Sequence, residues 1–599
     1  MANRKAPRIK TSKKVKDPES EAWSSIPWRK LEKHCFRIQK RIFRASQQGN
    51  QRAVQKLQKL LIKSEAARTL AVRRVTQDNQ GKKTAGIDGV KSVKPAQRLD
   101  LVKHIHPQQW PEKSLPVRRI YIPKPGKQEK RPLGIPVLSE RARQMLVKLA
   151  LEPEWEAKFE INSYGFRPGR SCFDAIDAIF ISIKHKEKYV LDADIAGCFD
   201  NINHEELIKK LTSYPQLTQA IKTWLKAGAI ENEMFVKIET GIPQGGVISP
   251  LLANIALHGL ETTITNAYKP KEGIPQVIRY ADDFVVLHAT EEGVKKAQTI
   301  ATHWLQTIGL ELKPSKTKIT HTLKAIEGPA GFDFLGFTIR QFPVGKTHTG
   351  KNGHGKSLGF KTIIKPQKEK VKWHLREIRQ AIRLLKGAPQ EKIIAELNPK
   401  ITGWSRYYQA VSSKETYQKC DHLVYQKLRS WAKFRHPNKN MQWITEKYWK
   451  TVGERHWVFG SGELNLKNHR DTTIKRHVKV KGAASPYDGN LFYWSQRLAN
   501  HPMIKGKLAK LLRKQQGKCR WCELIFREGD LIEIDHIDCN HKNNVLHNLM
   551  AIHRHCHDER HARLQKTSIN DNDCTTEEPC EVKTSSTVLK PSKGGDSSA

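Results

Sequence analysis

Two adjacent aspartates, Asp282 and Asp283, stand between two short apolar runs in residues 274–287, IPQVIRYADDFVVL. The runs are rich in β-branched and aromatic residues, so the sequence predicts two half-buried strands and a hairpin with both carboxylates at its tip. Such a pair repels itself and loses hydration, which is costly unless a divalent cation lies between these acids and a third one. Taken alone, an Asp-Asp pair is more often a solvated turn.

The third acid of this site is predicted to be Asp194. It ends another apolar run, YVLDAD, and a turn-forming AGCFD segment follows, while residues 241–252, GIPQGGVISPLL, lie between the two acidic strings. The three strings in this order resemble the palm of a reverse transcriptase. The resemblance implies that Asp194, Asp282 and Asp283 hold two Mg²⁺ ions roughly 3.5–4 Å apart, the geometry that in-line phosphoryl displacement requires. These ions would lower the pKa of the primer 3′-hydroxyl and stabilise the leaving pyrophosphate.

The charge balance indicates a polyanionic partner. The 599-residue chain has 106 Lys and Arg against 60 Asp and Glu, a formal net charge of +46. Without such a partner this excess would destabilise the fold by self-repulsion. We therefore expect tight, salt-dependent binding of nucleic acid, with a merely soluble basic surface as the alternative. The length is too great for one core and predicts about three to five domains.

The sequence also favours a particular compartment. It contains no stretch of about 18 or more apolar residues, so no membrane span is predicted. The basic start lacks the apolar core of a secretory signal. The ten cysteines are scattered except for a C-terminal cluster, which favours a reducing compartment and a metal site over a disulfide framework. We expect a cytoplasmic, bacterial protein without signal peptide or membrane contact.

Residues 117–127 and 130–136 predict a basic hairpin, because two β-branched runs are separated by Pro, Gly and cationic residues. Its cations would face a phosphate. The resemblance implies that Lys124 and Arg131 contact the incoming triphosphate, and a solvated basic turn is the alternative. A Gly- and Arg-rich loop at residues 163–171, SYGFRPGRS, is suited to positioning a template backbone.

The resemblance assigns further side chains around the aspartates. Phe199, five residues after Asp194, would exclude a ribose 2′-hydroxyl and so favour dNTPs, with a core position as the alternative. Gln244 would touch the nucleotide, and the glycines beside it let the backbone approach closely. Lys316 is a candidate for protonating pyrophosphate, with a plain phosphate contact as the alternative. Residues 332–337, FDFLGF, look like a primer-gripping turn.

Helical segments flank this centre. Residues 22–80 have helical periodicity, and residues 70–90 look like the N-terminal extension and first block of group II intron-encoded proteins. Residues 365–460 are helical in pattern, basic and aromatic-rich, and they resemble the thumb, or maturase, domain of the same family. Most of the aromatics are expected in a core, whereas cations between them, including Lys433 and Arg435, would face RNA phosphates. The resemblance implies binding to structured intron RNA and stabilisation of its splicing-competent fold.

The C-terminal part of the chain predicts a zinc site. Cys519 and Cys522 form one pair, and His553 and Cys556 form a second pair with the same spacing. Four nitrogen and sulfur ligands in two such pairs match a closed structural Zn²⁺ site, and Zn²⁺ accepts His in place of Cys. The ion is expected to hold a fold too small to build its own core.

Asp535 and His536 stand between these pairs, Asn548 follows, and His557 and His561 are spaced to share one helical face. This set resembles an HNH endonuclease, a ββα-metal fold. The resemblance makes His536 the general base that activates water. It gives a single divalent ion, Mg²⁺ or similar, to Asp535 and His557, with His561 as a further ligand and Asn548 orienting the loop. A structural zinc finger without cleavage is the alternative.

The combined resemblance is to a group II intron-encoded protein and spans roughly residues 22–565. It implies a multidomain α+β chain with right-hand polymerase fingers and palm, an α-helical thumb or maturase domain and a small ββα-metal HNH zinc domain. The expected parts are a disordered basic arm (1–21), an N-terminal extension (22–90), fingers (91–180), palm (181–345), thumb or maturase domain (346–460), DNA-binding region (461–506), HNH endonuclease domain (507–565) and disordered tail (566–599).

The resemblance implies three activities: an RNA-directed DNA polymerase, a maturase that aids intron splicing, and an endonuclease that nicks one strand of target DNA to create the primer. The expected partners are a group II intron RNA in a ribonucleoprotein, double-stranded target DNA and dNTPs, with the protein a monomer or homodimer. Two alternatives remain. One is a splicing cofactor that only binds RNA, and the other is a host-domesticated reverse transcriptase without an intron partner.

Overall fold

The computed structural model describes residues 22–23, 25–78, 81, 84–123, 130–326, 328–345, 348–502, 504, 506–526 and 530–567. The predicted basic arm and residues 568–599 of the predicted tail lie outside the described residues, as does Lys124. Buried side chains in the described part form four apolar clusters, which fits a chain of several domains whose predicted boundaries stay predictions. No helix in the described ranges has the length and apolar character to cross a bilayer.

The chain mixes helices and strands. In chain order the main helices are α1 (Trp28–Gln47), α2 (Gln51–Lys63), α3 (Glu65–Arg73), α4 (Pro95–His104), α5 (Leu138–Lys158), α6 (Cys172–Ile183), α7 (Cys198–Asn201), α8 (His204–Lys210), α9 (Pro215–Leu225), α10 (Ser249–Ala256), α11 (Leu260–Asn266), α12 (Glu291–Thr307), α13 (Lys368–Leu384), α14 (Gln390–Tyr408), α15 (Lys414–Arg435), α16 (Met441–Tyr448), α17 (Leu491–Asn500), α18 (Gly506–Lys514) and α19 (Arg554–Thr567). The strands are β1 (Val117–Pro123), β2 (Lys130–Ile135), β3 (Tyr189–Asp194), β4 (Ala229–Glu231), β5 (Met234–Val236), β6 (Gln276–Tyr280), β7 (Asp283–His288), β8 (Lys318–His321), β9 (Phe332–Phe334), β10 (Phe337–Pro343), β11 (Phe360–Pro366), β12 (Trp449–Val452), β13 (Arg455–Ser461), β14 (Leu464–Asn465), β15 (Ile532–His536) and β16 (Leu549–His553).

Helices α1 to α3 confirm the helical pattern predicted for residues 22–80. Apolar residues at helical spacing, such as Ile38 and Ile42 on α1, are buried against the long helix α5. A buried polar residue on the same face is also paired, since Gln39 Nε2 donates to the Leu149 carbonyl at 2.8 Å. The N-terminal helices are therefore one packed layer on α5.

The predicted basic hairpin is confirmed as β1 and β2, which pair antiparallel from Arg118–Ile135 to Pro123–Lys130. Strands β4 and β5 extend it to a four-stranded sheet in the order β2-β1-β4-β5. Residue Arg131 lies on β2 opposite Ile122. This sheet places the basic residues of the hairpin on a separate structural element from the aspartates.

The central sheet has the strand order β6-β7-β3-β8, and all its neighbouring pairs are antiparallel. Alternate residues of its strands enter different apolar clusters: Leu191 and Val286 join one, whereas Val190 and Val285 join the other. Both faces of the sheet are therefore covered, which explains why these strands read as continuous apolar runs. Helix α12 packs on β3 and β7, and α6 packs on β6.

The segment after the central sheet departs from the prediction at one end. Strands β9 and β10 are joined by Leu335 and Gly336, both with positive φ, as expected for a tight hairpin turn in the FDFLGF string. Helices α13 to α16 follow, but the helical pattern predicted to residue 460 is wrong after Tyr448. Residues 449–461 instead form the antiparallel pair β12–β13, because β-branched and aromatic residues flank a turn at Gly453 with φ 58°.

The C-terminal part consists of α17 and α18, an antiparallel pair of strands and a final helix. Strands β15 and β16 pair from Ile532–His553 to His536–Leu549, and α19 follows at once. Their buried residues form a cluster with Cys519, Cys522 and Cys556. A ββα unit is thus present where the sequence predicted one.

Candidate functional site

The three predicted aspartates meet at one end of the central sheet. Asp194, the last residue of β3, lies directly opposite Asp283, the first residue of β7. Asp282 lies in the turn between β6 and β7, which Ala281 tightens by adopting a φ of 57°. The hairpin with two acids at its tip is therefore confirmed, and the third acid is its cross-strand neighbour.

A buried arginine that was not predicted from the sequence, Arg279, hydrogen-bonds to this turn. Arg279 is 2% exposed, and its Nη1 donates to Asn254 Oδ1 at 3.0 Å and to the Ala281 carbonyl at 3.1 Å. Asn254 Nδ2 in turn donates to the Gly165 carbonyl at 2.8 Å. The only sequence signal was a cation inside an apolar strand, where a charge needs internal partners.

The loop at residues 163–171 packs against the same turn. Tyr164 N–H donates to the Arg279 carbonyl at 2.9 Å, so the loop runs as an extra strand beside β6. A Cβ on Gly165 would lie 2.3 Å from the Ala281 nitrogen. Glycine is therefore required here because two backbones touch, and the aspartate turn has a rigid wall on this side.

The two arginines of this loop bond inside the protein, and the predicted contact of the loop with a template backbone stays a prediction. Arg167 is buried and its Nε donates to Glu156 Oε1 at 2.9 Å. Arg170 is also buried, and its guanidinium donates to the carbonyls of Ile161 at 2.8 Å and Gly482 at 3.1 Å. Both guanidinium groups donate hydrogen bonds within the protein. They satisfy buried carbonyl and carboxylate oxygens that an irregular loop leaves without backbone partners.

The electrostatics around the aspartates suit a cation. Burial, and then the nearby Asp194 carboxylate, raise the pKa of Asp282, whereas Arg131 and Lys316 act in the opposite direction. Lys316 Nζ lies 3.0 Å from Asp194 Oδ2. Two groups of side chains in the described part of the chain bring three or more possible metal ligands within 4.8 Å of one another. Asp194, Asp282 and Asp283 do not form such a group. A buried Asp282 carboxyl with a raised pKa beside Asp194 fits a divalent cation, which would take the place of the Lys316 ammonium on Asp194.

The GIPQGG segment lies between the aspartates and the β1–β2 hairpin. Gly134 N–H of β2 donates to the Gln244 carbonyl at 2.6 Å, and a Cβ on Gly245 would lie 2.8 Å from the Gly134 carbonyl oxygen. The Phe199 carbonyl accepts from Ile242 N–H at 2.6 Å. Backbone hydrogen bonds of this segment therefore connect the three predicted nucleotide contacts, Gln244, Phe199 and Arg131, through strand β2 and the residues after β3.

The side chain of Phe199 is half-buried and makes an edge contact with Phe166, with ring centroids 6.2 Å apart. Phe166 itself adopts a left-handed φ of 59° in the glycine-rich loop. A ring held in this way can serve as a fixed wall beside the nucleotide. Its predicted role against the ribose 2′-hydroxyl stays a prediction, as do those of Gln244 and Lys316.

The helical segment has a buried polar core that the sequence did not reveal. His469 Nδ1 lies 2.7 Å from Asp421 Oδ1, and His469 Nε2 lies 2.8 Å from His374 Nε2. The ring of Trp404 stacks on His374 with an interplanar angle of 7°. Since Asp421 accepts from Nδ1, His469 presents its Nε2 lone pair to His374, which donates.

Two cations predicted to face RNA, Lys433 and Arg435 at the end of α15, also donate to backbone carbonyls of the protein. Lys433 Nζ donates to the carbonyls of Pro437 at 3.0 Å and Lys439 at 2.8 Å. Arg435 Nη1 donates to the Ala388 carbonyl at 2.9 Å. Basic side chains at a helix C-terminus satisfy free carbonyls and complement the helix dipole. Lys433 is nevertheless exposed and Arg435 partly exposed, so the predicted contact of these two residues with RNA phosphates stays a prediction.

The predicted zinc ligands come together as expected. The ligand atoms of Cys519, Cys522, His553 and Cys556 all lie within 4.8 Å of one another, and all four side chains are buried. His553 Nδ1 is 3.4 Å from Cys522 Sγ, and its Nε2 is 3.3 Å from Asp530 Oδ2. A carboxylate on the far ring nitrogen fixes the histidine tautomer in metal sites. The donor set and its Asp530 partner fit Zn²⁺.

A second cluster joins Asp535, His557 and His561, again with ligand atoms mutually within 4.8 Å. His536 is buried beside this cluster without belonging to it, and its Nε2 is 3.4 Å from Asn544 Oδ1. The cluster offers one carboxylate and two imidazoles, a donor set that fits a divalent ion.

Asn548 holds the loop between β15 and β16, as the sequence predicted. Its Nδ2 donates to Asp538 Oδ1 at 2.7 Å and to the Asn543 carbonyl at 2.8 Å, while its Oδ1 accepts from Asp538 N–H at 3.1 Å. The Asn548 amide therefore links both ends of the loop that follows His536, which Asp538 and Arg560 also hold. Its role toward a substrate stays a prediction.

The C-terminal unit docks on the N-terminal helices through ion pairs that no motif indicated. Arg29 Nη2 lies 2.6 Å from Glu523 Oε2. Glu32 lies between Arg73, at 2.6 Å, and His555, at 3.6 Å. Arg73 is 4% exposed, so this part of the interface is desolvated. Residues separated by about five hundred positions thus share one polar network.

Asp174 ties the region around α17 to the centre of the protein. This carboxylate is fully buried and receives Arg497 Nη2 at 2.5 Å, Val480 N–H at 2.8 Å and His477 Nε2 at 3.1 Å. Burial opposes the charge, but the His477 hydrogen bond and Arg497 outweigh it, so the pKa of Asp174 lies well below its ordinary value. The residue is a structural anchor.

Comparison with known families covers most of the chain before residue 450. The N-terminal domain of reverse transcriptase matches residues 23–105, reverse transcriptase (RNA-dependent DNA polymerase) matches residues 122–339, and the group II intron maturase-specific domain matches residues 371–449. These matches end before both Cys and His clusters, whose chemistry therefore rests on geometry.

Curated relatives show the same pattern. Protein YkfC of Escherichia coli (strain K12) is 32% identical over 327 residues, which cover 48% of this chain and 83% of that protein. Group II intron-encoded protein LtrA of Lactococcus lactis subsp. cremoris is 40% identical over 193 residues, 31% of either chain. An uncharacterized 91 kDa protein in the cob intron of Schizosaccharomyces pombe is 27% identical over 521 residues, 69% of this chain and 63% of that one. The last two matches span less than two thirds of those relatives.

Proposed function

The chain belongs to the group II intron reverse transcriptase and maturase family, and from this premise we propose that it copies RNA into DNA, binds an intron RNA and nicks target DNA. One observation carries the first activity: Asp194 and Asp283 face each other across β3 and β7, with Asp282 in the adjoining turn. The three acids sit where a primer end and a triphosphate could meet, beside the GIPQGG segment and the basic hairpin.

In the polymerase site Asp194, Asp282 and Asp283 would hold two Mg²⁺ ions. When bound, such ions lower the pKa of the primer 3′-hydroxyl and stabilise the leaving pyrophosphate. Arg131 and Lys124 would bind the triphosphate, and Gln244 would contact the nucleotide. Phe199 would exclude a ribose 2′-hydroxyl, which favours dNTPs. Lys316, now on Asp194, would contact the pyrophosphate once the cations occupy the carboxylates.

The test is extension of a DNA primer on an RNA template with dNTPs and Mg²⁺. Asp282→Asn removes one ligand charge and should lower extension by several orders of magnitude, roughly 10³-fold or more. Glu292→Gln, at an exposed position at the start of α12, is the matched neutralisation and should extend normally. No extension by the wild type would instead favour the splicing cofactor that only binds RNA.

The maturase proposal rests on the match to the maturase-specific domain and on the net charge of +46. The protein would bind the structured intron as a ribonucleoprotein and stabilise its splicing-competent fold. The test is splicing of a cognate group II intron at low Mg²⁺ with and without the protein. Rescue that survives Asp282→Asn would separate this role from polymerisation, and absence of rescue for any such intron would favour a domesticated polymerase.

The nuclease proposal rests on two ligand clusters at one ββα unit, one of Cys and His and the other of Asp and His. Cys519, Cys522, His553 and Cys556 would hold a structural Zn²⁺. Asp535, His557 and His561 would hold a divalent ion, such as Mg²⁺, against the scissile phosphate. His536 would take a proton from the attacking water, and Asn548 would keep its loop in place.

This nuclease would cut one strand of double-stranded target DNA, and the nick would prime reverse transcription during intron insertion. The test is cleavage of target DNA by the ribonucleoprotein. His536→Ala should abolish nicking while zinc content stays at one ion per chain, whereas Cys519→Ala should lose the zinc. If neither substitution changed nicking, the cut would come from elsewhere and the unit would be a structural zinc finger.

A further inference from the structure

The two oxygens of the Asp535 carboxylate have different partners. Oδ2 accepts from Arg560 Nη1 in a close ion pair. Oδ1 faces His561 Nε2 at 3.4 Å and His557 Nε2 at 3.9 Å, and it also accepts from the His536 backbone N–H at 2.8 Å. The side chain is 2% exposed. Arg560 therefore takes up Oδ2, whereas Oδ1, held by one backbone N–H, is directed at both imidazoles.

Arg560 is fixed by more than this ion pair. Its Nη2 donates to the Ile537 carbonyl at 2.9 Å and to Cys539 Sγ at 3.3 Å, and the residue is 7% exposed. The planar guanidinium thus spans the end of β15 and the loop that follows. A lysine, with one point charge, could not reproduce this fork.

A second carboxylate, Glu533, acts on the neighbouring imidazole. Glu533 Oε2 lies 3.3 Å from His557 Nδ1, nearer than Asp558 Oδ1 at 3.9 Å. Glu533 and Asp535 are two residues apart on β15, so both side chains project from the same face of the strand. If Nδ1–H donates to Glu533, the lone pair of Nε2 is left for the side that faces Asp535 Oδ1.

We propose that Arg560 and Glu533 are positioning residues for the divalent ion of the nuclease site, an inference that rests on the proposed nuclease function. Arg560 holds Asp535 so that Oδ1 alone turns toward the ion, and Glu533 holds His557 in the tautomer that binds through Nε2. Neither residue is a ligand. Outer partners of this kind typically change metal affinity by about 10- to 100-fold when removed.

The direction in which neutralising Arg560 changes the affinity for the divalent ion distinguishes a positioning role from a purely electrostatic one. Arg560 carries a positive charge close to the ion, so by Coulomb repulsion alone its neutralisation would strengthen cation binding. If it positions Asp535, its neutralisation weakens binding instead. Arg563 provides the matched control, because it lies on the same helix, pairs with Glu559 at 2.6 Å and is largely exposed.

The experiment measures Mn²⁺ binding to the full chain by titration calorimetry, in an Asp282→Asn, Asp283→Asn background that weakens the polymerase site. The variants are Arg560→Gln, Arg560→Lys, Arg563→Gln and Glu533→Gln, with Asp535→Ala as the ligand knockout. Zinc content is measured on each. We expect Arg560→Gln to weaken Mn²⁺ binding by about 10- to 100-fold and Glu533→Gln by about 10-fold, with zinc retained. Arg560→Lys should not restore affinity, and Arg563→Gln should stay within about twofold of the background.

The possible failures are distinct. If Asp535→Ala leaves the Mn²⁺ isotherm unchanged, no divalent ion binds at this cluster, and the proposed nuclease site fails together with this inference. If Asp535→Ala abolishes binding but Arg560→Gln and Glu533→Gln bind as tightly as the background, the site stands and the positioning role is overturned. Should Arg560→Gln lose zinc, Arg560→Lys decides, because it keeps the positive charge and removes only the paired hydrogen bonds to Asp535 and the Ile537 carbonyl. Weaker Mn²⁺ binding with zinc retained then supports the positioning role, and binding as tight as the background overturns it.

Discussion

Substitution of Gly165 by alanine tests whether the wall behind the aspartate turn sets polymerase activity. The new Cβ would lie 2.3 Å from the Ala281 nitrogen and 2.9 Å from the Tyr280 carbonyl carbon. Both are backbone atoms, so no flexible side chain can yield. The loop or the turn must therefore move by about 1 Å, a displacement that can cost on the order of 10²-fold in rate when it misplaces catalytic groups.

The stability cost has two sources. Overpacking of a tight contact costs about 1–3 kcal/mol, and the shift strains two hydrogen bonds worth about 1 kcal/mol each. These are Tyr164 N–H to the Arg279 carbonyl at 2.9 Å and Asn254 Nδ2 to the Gly165 carbonyl at 2.8 Å. We expect Gly165→Ala to lower the free energy of unfolding by about 3–5 kcal/mol and primer extension by about 100-fold.

The assay combines urea unfolding with primer extension at a temperature where the variant is fully folded. Gly403→Ala is the control, because this glycine lies inside α14 and nothing stands within 4 Å of its added Cβ. Alanine there should stabilise the helix by about 1 kcal/mol and leave extension unchanged. Wild-type extension by a folded Gly165→Ala protein would show that the turn tolerates a shift of its wall, and the reasoning would be refuted.

Three further substitutions address buried charges. Asp174→Asn should cost about 3–5 kcal/mol in urea unfolding at pH 7, because it leaves Arg497 without its carboxylate. The pKa of Asp174 is lowered in the folded protein, so the carboxylate contributes its full stabilisation above its unfolded-state pKa of about 4 and loses it as pH falls below that value. A destabilisation by Asp174→Asn that did not change with pH would contradict the ion pair. Burial lowers the pKa of His374 to about 3, so the free energy of unfolding falls by about 1.4 kcal/mol per pH unit as pH falls below about 6.5. The melting temperature of His374→Gln should therefore depend less steeply on pH than that of the wild type. Equal dependence on pH would refute the burial of a neutral His374. Glu32→Gln should speed hydrogen exchange around Cys519 and His555 with zinc content unchanged, whereas exposed Glu65→Gln should not; unchanged exchange would mean that the docking does not depend on this carboxylate.

The sequence was sufficient for elements whose cause is local. Alternating and continuous apolar runs predicted the β6–β7 hairpin, and helical periodicity predicted α1 to α3. Spacing in two short pairs predicted that Cys519 and His553 would share one site, as they do. For the hairpin and the helices neighbouring residues determine the structure, so a window of ten to twenty residues contains the information. The zinc site is different, because its two pairs lie about thirty positions apart and only the type and spacing of the ligands within each pair predicted that they meet.

The residues that support these elements could not be found in this way. Arg279, Asn254 and Gly165 come from three separate strings, and only the fold brings them under the aspartate turn. Arg167 and Arg170 looked like nucleic-acid contacts because exposed and buried arginines are identical in sequence. The strand pair after Tyr448 was missed because aromatic residues are common in both the helices and the strands, although the β-branched residues around the turn at Gly453 were a local signal.

The buried acids at the junctions explain how a chain with so many cations keeps its parts together. Asp174 binds the region around α17 through the largely buried Arg497, whereas Glu32 contacts the C-terminal unit through His555 and is itself held by Arg73 of the N-terminal helices. The two junctions are not equivalent. Without the chain after residue 460, Asp174 would lose both Arg497 and His477, whereas Arg73 would keep Glu32 and Asp78 as partners. Of its described partners, Asp174 would then keep only the Ser171 donors, and the loss of both charged partners is more costly than a rearranged pair. The central part of the protein therefore depends on the region around α17 for its own stability, while the ββα unit depends on the N-terminal helices mainly for its position.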